Sequence, residues 1–332
     1  MESLLFVGVA WLAFANGAND NFKGVATLYG SRALSYRAAL ALASVATLLG
    51  SLLSLALAAG LVRSFSGADL APAGIAGSSA FAASVASGAA LTVLLATRLG
   101  LPTSTTHALT GALLGAAFAA NGAAPSWQPL LHKFLVPLLL SPVIAIALTW
   151  MLLEASKLWG PRSAASGATC VCVAECEPVR VQVNALSSSA PPATLVLGSV
   201  EHCERDLGPA AVVMRSDRIA GVAHVFSAGS VCIARAVNDT PKIAALLAAT
   251  RATSGGWTLA LVALAMLAGG LFASRRVAET LSHRIAALEP RQGLAANLIT
   301  SGLVIAASRY GLPVSTTHVS CGSILGVGVA TN

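Results

Sequence analysis

The sequence predicts an all-α, polytopic integral membrane protein built from two related halves, each carrying a broken helix. Three observations predict it. Apolar residues make up 56% of the chain and charged residues 10%, with a mean hydropathy of +0.77, whereas soluble domains carry roughly 25% charge. Several apolar stretches approach the roughly 20 residues that span about 30 Å of hydrocarbon. One octapeptide occurs twice: Gly-Leu-Pro-Thr-Ser-Thr-Thr-His from Gly100 to His107, and Gly-Leu-Pro-Val-Ser-Thr-Thr-His from Gly311 to His318. A soluble chain with so little charge would expose large apolar patches. The runs are Ala/Leu-rich and continuous rather than alternating, which favours helices over a barrel.

The elements follow in order. Residues 3–15 are apolar, and Asn16 to Asn21 are expected to interrupt them. Met1-Glu2-Ser3 offers no basic leader and no small-residue cleavage site follows, so this segment reads as mature protein. Residues 38–61 and 75–99 are span-length, separated by a polar turn from Arg63 to Gly74. After the first octapeptide come a short apolar piece at 108–120 and a span at 130–153, in which Pro137 and Pro142 predict kinks. Residues 155–218 gather charges, a Ser run and Pro191-Pro192. They read as a hydrophilic loop or small extramembrane domain, with short strands at 179–185 and 194–200. The membrane halves are then 1–154 and 219–332. In the second half Asn238-Asp239-Thr240-Pro241 is expected to interrupt the apolar sequence. Residues 256–273 form a span, 275–290 an amphipathic interfacial helix, and 292–309 a span before the second octapeptide. The second half has no counterpart of 130–153, so a closing span is either absent or supplied by a partner.

Each octapeptide has a physical logic. Pro102 and Pro313 donate no amide hydrogen and disfavour helix in the preceding residue. A new helix can start at Ser104 or Ser315, whose hydroxyls suit an N-cap. Its first turn offers free N–H groups and the positive end of the helix dipole. In lipid such donors must line a cavity or bind something, and a tetrahedral oxyanion accepts many of them at once. The Gly and Ala residues that follow permit close helix approach. The alternative is a kinked helix whose hydroxyls bond back to their own backbone. The duplication favours a site.

A second pair accompanies the first: Asn19-Asp20 with Lys23, and Asn238-Asp239 with Lys242. A carboxylate in apolar sequence is costly unless paired, protonated or bound to a cation. Asn19, Asp20, Asn238 and Asp239 with freed carbonyls could form an oxygen shell for a hard cation; helix capping, or pairing with Lys23 and Lys242, is the alternative. The lysines could neutralise a substrate or snorkel. His107 and His318 could donate to a substrate or carry a proton, or simply bond a facing helix. Polar motifs repeated inside an apolar chain point to a transporter site shared by two halves.

The formal charge of +7 does not indicate nucleic acid, because Arg32, Arg37, Arg275, Arg276 and Arg284 flank spans, where positive residues set orientation. Cys170, Cys172, Cys176 and Cys203 cluster in the middle segment near His202. They form either a metal site, in a spacing unlike a zinc ribbon, or plain reduced thiols. Cys232 and Cys321 read as packing residues.

Gly17-Ala18-Asn19-Asp20, the two Pro-x-Ser-Thr-Thr-His segments and Val277-Ala278-Glu279-Thr280 resemble the inorganic phosphate transporter family over most of 1–153 and 219–330. The resemblance implies two inverted repeats, a midplane phosphate site and symport driven by sodium or protons, with no cofactor required beyond the coupling cation. It places Asp20, Ser104, Thr105, Thr106, Asp239, Ser315, Thr316 and Thr317 around phosphate. Arg235-Ala236-Val237 departs from the Gly-Ala of the first copy. Some relatives carry sulfate. A sulfate permease is therefore one rival; a membrane enzyme acting on phosphorylated lipid and an anion channel are rivals of other classes, and the motifs offer no convincing catalytic set. The expected location is the cell (inner) membrane with the middle loop in the cytoplasm, since Arg32, Arg37, Lys157 and Arg162 flank span ends and free cysteines suit a reducing compartment. A homo-oligomer is left open.

Overall fold

The computed structural model describes residues 1–121, 127–159, 169–175, 193–199, 212–250, 256–282 and 288–331. One compact unit comprises Met1–Ala155 with His224–Asn332, and a second comprises Ser156–Ala223. Within the second, β1 (Thr169–Glu175), β2 (Ala193–Ser199) and β3 (Val212–Arg215) form an antiparallel sheet in the order β2-β1-β3. The strand expected at 194–200 is β2; the one expected at 179–185 lies outside the described residues.

The larger unit is helical. Its long helices are α1 (Glu2–Asp20), α2 (Tyr36–Leu57), α3 (Ser79–Arg98), α4 (Thr105–Asn121), α5 (Val136–Trp159), α6 (Ser216–Ala249), α7 (Gly256–Ala273), α8 (Pro290–Arg309) and α9 (Thr316–Thr331). Among the described residues, four helices are long and apolar enough to cross a membrane: Tyr36–Leu57, Ser79–Arg98, Trp127–Lys157 and Arg218–Ala249. Large side chains such as Leu52, Leu139 and Phe226 project outward from them, as they do from membrane spans whose solvent is lipid.

Local chemistry sets the helix starts. Ser35 and Ser78 cap α2 and α3 by accepting from the amides of Ala38 and Phe81. Glu289 and Gln292 form a capping box at α8, with Pro290 in the first turn. Ahead of α5 a π-helical turn spans Leu130–Leu135, just before Pro137, which has no N–H to offer the regular ladder.

Two expected interruptions are absent. α1 runs through Asn16 to Asp20 before the chain turns at 21–25, and α6 continues through Asn238-Asp239-Thr240 with Pro241 inside it. The polar side chains that appeared to break these helices find partners on neighbouring helices, so they do not compete for their own backbone. A third expectation is shortened: the interfacial helix covers only Arg275–Thr280, with 283–287 outside the described residues.

The halves share an order of elements. Each has a helix bearing Asn-Asp (α1, α6), a long helix (α2, α7), a short helix (Ala59–Ser64, Arg275–Thr280), a second long helix (α3, α8), a break and a half-length helix (α4, α9). Their contacts cross over. A Cβ on Gly269 of α7 would lie 1.9 Å from the Phe14 carbonyl oxygen of α1, and one on Gly50 of α2 would lie 2.4 Å from that of Ile233 on α6. Phe14 and Ile233 each precede the Asn of their Asn-Asp by five residues. Backbone-to-backbone approach of this kind is how helices associate where lipid removes the hydrophobic drive.

Gly17 is the tightest of these positions on α1, because a Cβ there would lie 1.9 Å from the Met266 carbonyl oxygen. Gly17→Ala is expected to destabilise the protein by about 1–3 kcal/mol through overpacking. Gly328→Ala, where a Cβ meets nothing within 4 Å, should leave stability unchanged. Thermal melting in detergent measures both; equal melting points would refute the close approach.

Candidate substrate site

Both octapeptides break their helices in the same way. α3 ends at Arg98 and α8 at Arg309, Gly100 and Gly311 turn the chain with φ of 71° and 68°, and the next helix starts at Thr105 or Thr316. Glycine takes this left-handed conformation without a Cβ penalty. Ser104 and Ser315 are the N-caps: their hydroxyls accept from the amides of His107 and His318, each at 3.2 Å. The short helices cover the turns crosswise. A Cβ on Gly100 would lie 3.3 Å from the Thr280 hydroxyl of the second half, and Ser64 of the first half donates to the Gly311 carbonyl at 3.1 Å.

The two lysines bridge the two breaks. Lys23 Nζ lies 2.6 Å from Asp20 Oδ1 and donates to the Thr103 carbonyl and to the Thr317 hydroxyl. Lys242 Nζ donates to the Thr106 hydroxyl at 2.7 Å and to the Val314 carbonyl at 2.9 Å. The hydroxyls complete the exchange: Thr106 donates to the Val314 carbonyl and Thr317 to the Thr103 carbonyl, both at 3.0 Å. Thr103 and Val314 occupy the same octapeptide position. Each lysine therefore ties the break of its own half to that of the other.

The carboxylates meet through Asn16. Its amide nitrogen lies 3.3 Å from Asp20 Oδ2, 3.1 Å from Asp239 Oδ2 and 2.9 Å from the Thr105 hydroxyl. Thr105 in turn donates to Asp20 at 3.3 Å. The Asn16 side-chain Oδ1 accepts from Arg235 Nη1 at 3.1 Å, and Arg235 Nη2 donates to Thr47 at 2.6 Å. Arg235 is fully buried. Asn16 and Arg235 hold equivalent positions, each three residues before its Asn-Asp. The departure seen at Arg235-Ala236-Val237 is thus compensated. Ala236 faces Gly50, so in this half the small residue sits on the opposing helix.

Asn19 and Asn238 serve the breaks. Asn19 donates to Thr97 and to the Leu101 carbonyl, and accepts from the Thr103 amide at 2.9 Å. Asn238 accepts from Ser308 at 3.2 Å and lies 3.4 Å from the Thr316 hydroxyl and 3.1 Å from Asp239 Oδ1. The rings of His107 and His318 meet edge to face with centroids 4.5 Å apart, and His107 Nδ1 bonds Ser104 at 2.8 Å. Cys232 is buried, but Cys321 is exposed rather than packed, because it borders the hollow that Lys23 and Thr317 also line. Cys170 and Cys172 lie two apart on β1, while Cys176 and Cys203 fall outside the described residues. No group of three metal-ligating side chains occurs among the described residues.

The chain resembles known proteins in sequence and in fold. A model of the phosphate transporter family matches residues 16–332. The chain belongs to the phosphate transporter family. It is 29% identical over 335 residues to a "probable low-affinity inorganic phosphate transporter" of Mycobacterium bovis, covering 98% of this chain and 68% of that protein. A Bacillus subtilis protein of the same description is 27% identical, covering 96% and 82%. A solved structure titled "The sodium-dependent phosphate transporter" superposes with a TM-score of 0.74 at 19% identity, over 99% of this chain and 89% of that one. That likeness confirms the fold. The family is one of transporters rather than enzymes, and this member is an integral membrane protein.

Sequence reasoning missed Asn16, Arg235 and Thr47. The available signal was the offset: Arg235 repeats the position of Asn16, and a buried arginine inside an apolar helix demands a partner. In this transporter Asn16→Ala removes the donor common to both carboxylates, leaving buried acceptors unpaired at about 1–3 kcal/mol. Phosphate uptake by cells expressing Asn16→Ala should fall about tenfold. Asp69→Asn breaks only the exposed pair with Lys133, at 2.7 Å, and should leave uptake unchanged. Normal uptake by Asn16→Ala would refute the bridging role.

Proposed function

We propose that this transporter moves inorganic phosphate across the cell membrane by cation-coupled symport. The observation that carries the reading is the crossed lysine–hydroxyl exchange between the two breaks. Lys23, Lys242, Ser104, Thr105, Thr106, Ser315, Thr316 and Thr317 present donors at two helix starts, as a tetrahedral oxyanion requires. An entering phosphate would take over the donors that Thr106 and Thr317 now direct to carbonyls. The halves are read as inverted repeats whose relative motion gives alternating access, and the middle segment 155–218 as cytoplasmic.

Charge supports coupling. Lys23, Lys242 and Arg235 face Asp20 and Asp239, three positive groups against two negative, all buried. Phosphate at neutral pH carries more than one negative charge on average, so its entry overshoots neutrality in a medium where imbalance is costly. A sodium ion or proton entering with it restores the balance, with Asp20 and Asp239 as the acceptors and Asn19 and Asn238 holding the adjacent break carbonyls.

Purified protein in liposomes, loaded with radiolabelled phosphate, tests this. Concentrative uptake should require an inward sodium or proton gradient and should survive an excess of sulfate. Inhibition by sulfate would favour a sulfate permease, and uptake indifferent to both gradients would favour a channel. Ser315→Ala combined with Thr316→Val should weaken phosphate binding by about 1.5–3 kcal/mol per lost bond to the anion; uptake within twofold of wild type would place phosphate elsewhere. Asp20→Asn and Asp239→Asn should each abolish concentrative uptake while exchange of phosphate persists. Because coupling is reciprocal, calorimetric phosphate affinity should rise with sodium or with acidity in the wild type.

A further inference from the structure

We propose that the cleft between the C-terminal end of α3 and the short helix Arg275–Thr280 holds the headgroup of an anionic phospholipid. Arg98 is the last residue of α3, and Arg275 and Arg276 begin the short helix just after α7 ends at Ala273. Three arginines therefore line the cleft at the ends of α3 and α7. They outnumber the one carboxylate nearby, Glu279, which lies 3.1 Å from Arg275 Nε. Arg276 uses one nitrogen to donate to the Arg98 carbonyl at 2.9 Å, which fixes the two residues together. The Arg98 guanidinium itself has no hydrogen bond or ion pair among the described residues. Tyr29 and Thr280 add hydroxyls to the same polar pocket.

What selects a lipid is the second hollow, which shares Arg98, Arg276 and Glu279 with the first and continues onto Leu94 and Phe272. Phe272 is 82% exposed and sits one turn from Arg275. A planar guanidinium pairs with a phosphate in two-point fashion, while the apolar continuation suits an acyl chain. Basic pockets between spans are recognised lipid headgroup sites on the leaflet that carries negative lipid. The position also touches the break. Thr97 lines the groove and accepts from Asn19, and Gly100 packs against Thr280. A bound headgroup would steady the first break without entering the substrate site.

Lipid retention is the readout, so the result does not depend on the transport reading. Protein in mild detergent is incubated with equal amounts of phosphatidylglycerol and phosphatidylcholine, and bound lipid is counted by native mass spectrometry. The wild type should prefer the anionic lipid about fivefold or more. Arg98→Gln, and separately Arg276→Gln, should bring the ratio close to one while the melting point in detergent stays within a few degrees. Phe272→Ser should lower retention of both lipids. In liposomes of phosphatidylcholine alone, Arg98→Gln should transport at the wild-type rate, and only the wild type should gain from added phosphatidylglycerol. An undiminished preference in both arginine variants would overturn the proposal. Displacement of the lipid by inorganic phosphate would also overturn it, and would make the cleft a vestibule for free anion.

Discussion

Five ionisable side chains lie buried at the level of the helix breaks, out of reach of solvent, and the architecture around them answers that one constraint. Lys23, Lys242, Arg235, Asp20 and Asp239 are each less than a tenth exposed. A buried charge left alone is far more costly than any single contact can repay. Each therefore needs partners at hydrogen-bond distance; Asp20 finds them within its own half, and the three cations and Asp239 also draw on the other. Lys242 finds Thr106, Lys23 finds Thr317, and Arg235 finds Asn16. The close glycine contacts at Gly17, Gly50 and Gly269 bring the helices near enough for those bonds to form.

The breaks supply what an unbroken helix could not. Carbonyls of Thr103 and Val314 lie in the non-helical stretch between the paired helices, outside any regular ladder, and receive the lysines. Caps by Ser104 and Ser315 fix where each half-helix starts, and Asn19 and Asn238 hold the loop just upstream. Asn19 and Asn238 bond to Thr97, Leu101, Thr103 and Ser308 and so brace the turns beside the carboxylates.

Much of the fold was legible in the sequence. Span lengths, the two breaks, the serine caps and the change of character after residue 155 follow from local hydropathy, proline and hydroxyl chemistry. What local chemistry cannot show is pairing across the chain. Asn16 and Asn238 looked like helix breakers because their polarity was read against their own backbone, yet both donate to residues on other helices. Arg235 looked like a departure from the repeat, and only its meeting with Asn16 shows that the two equivalent positions complete each other. Val277-Ala278-Glu279-Thr280 was legible as a motif, but its place over the Gly100 turn depends on α7 returning to α3. The joint role of Ser64 and Gly311 had no local signal either.

The crossed exchange also bears on how such a chain could have arisen. A single half would own a lysine, a capped half-helix and the carbonyl that receives that lysine, yet the hydroxyl that completes the lysine's shell would belong to a separate molecule. One half alone would thus hold its lysine with a shell short of one hydroxyl. Once fused, the two copies could diverge only in step. Asparagine at position 16 and arginine at position 235, equivalent in the two halves, meet as acceptor and donor across the centre, so a change at one would have to be answered at the other.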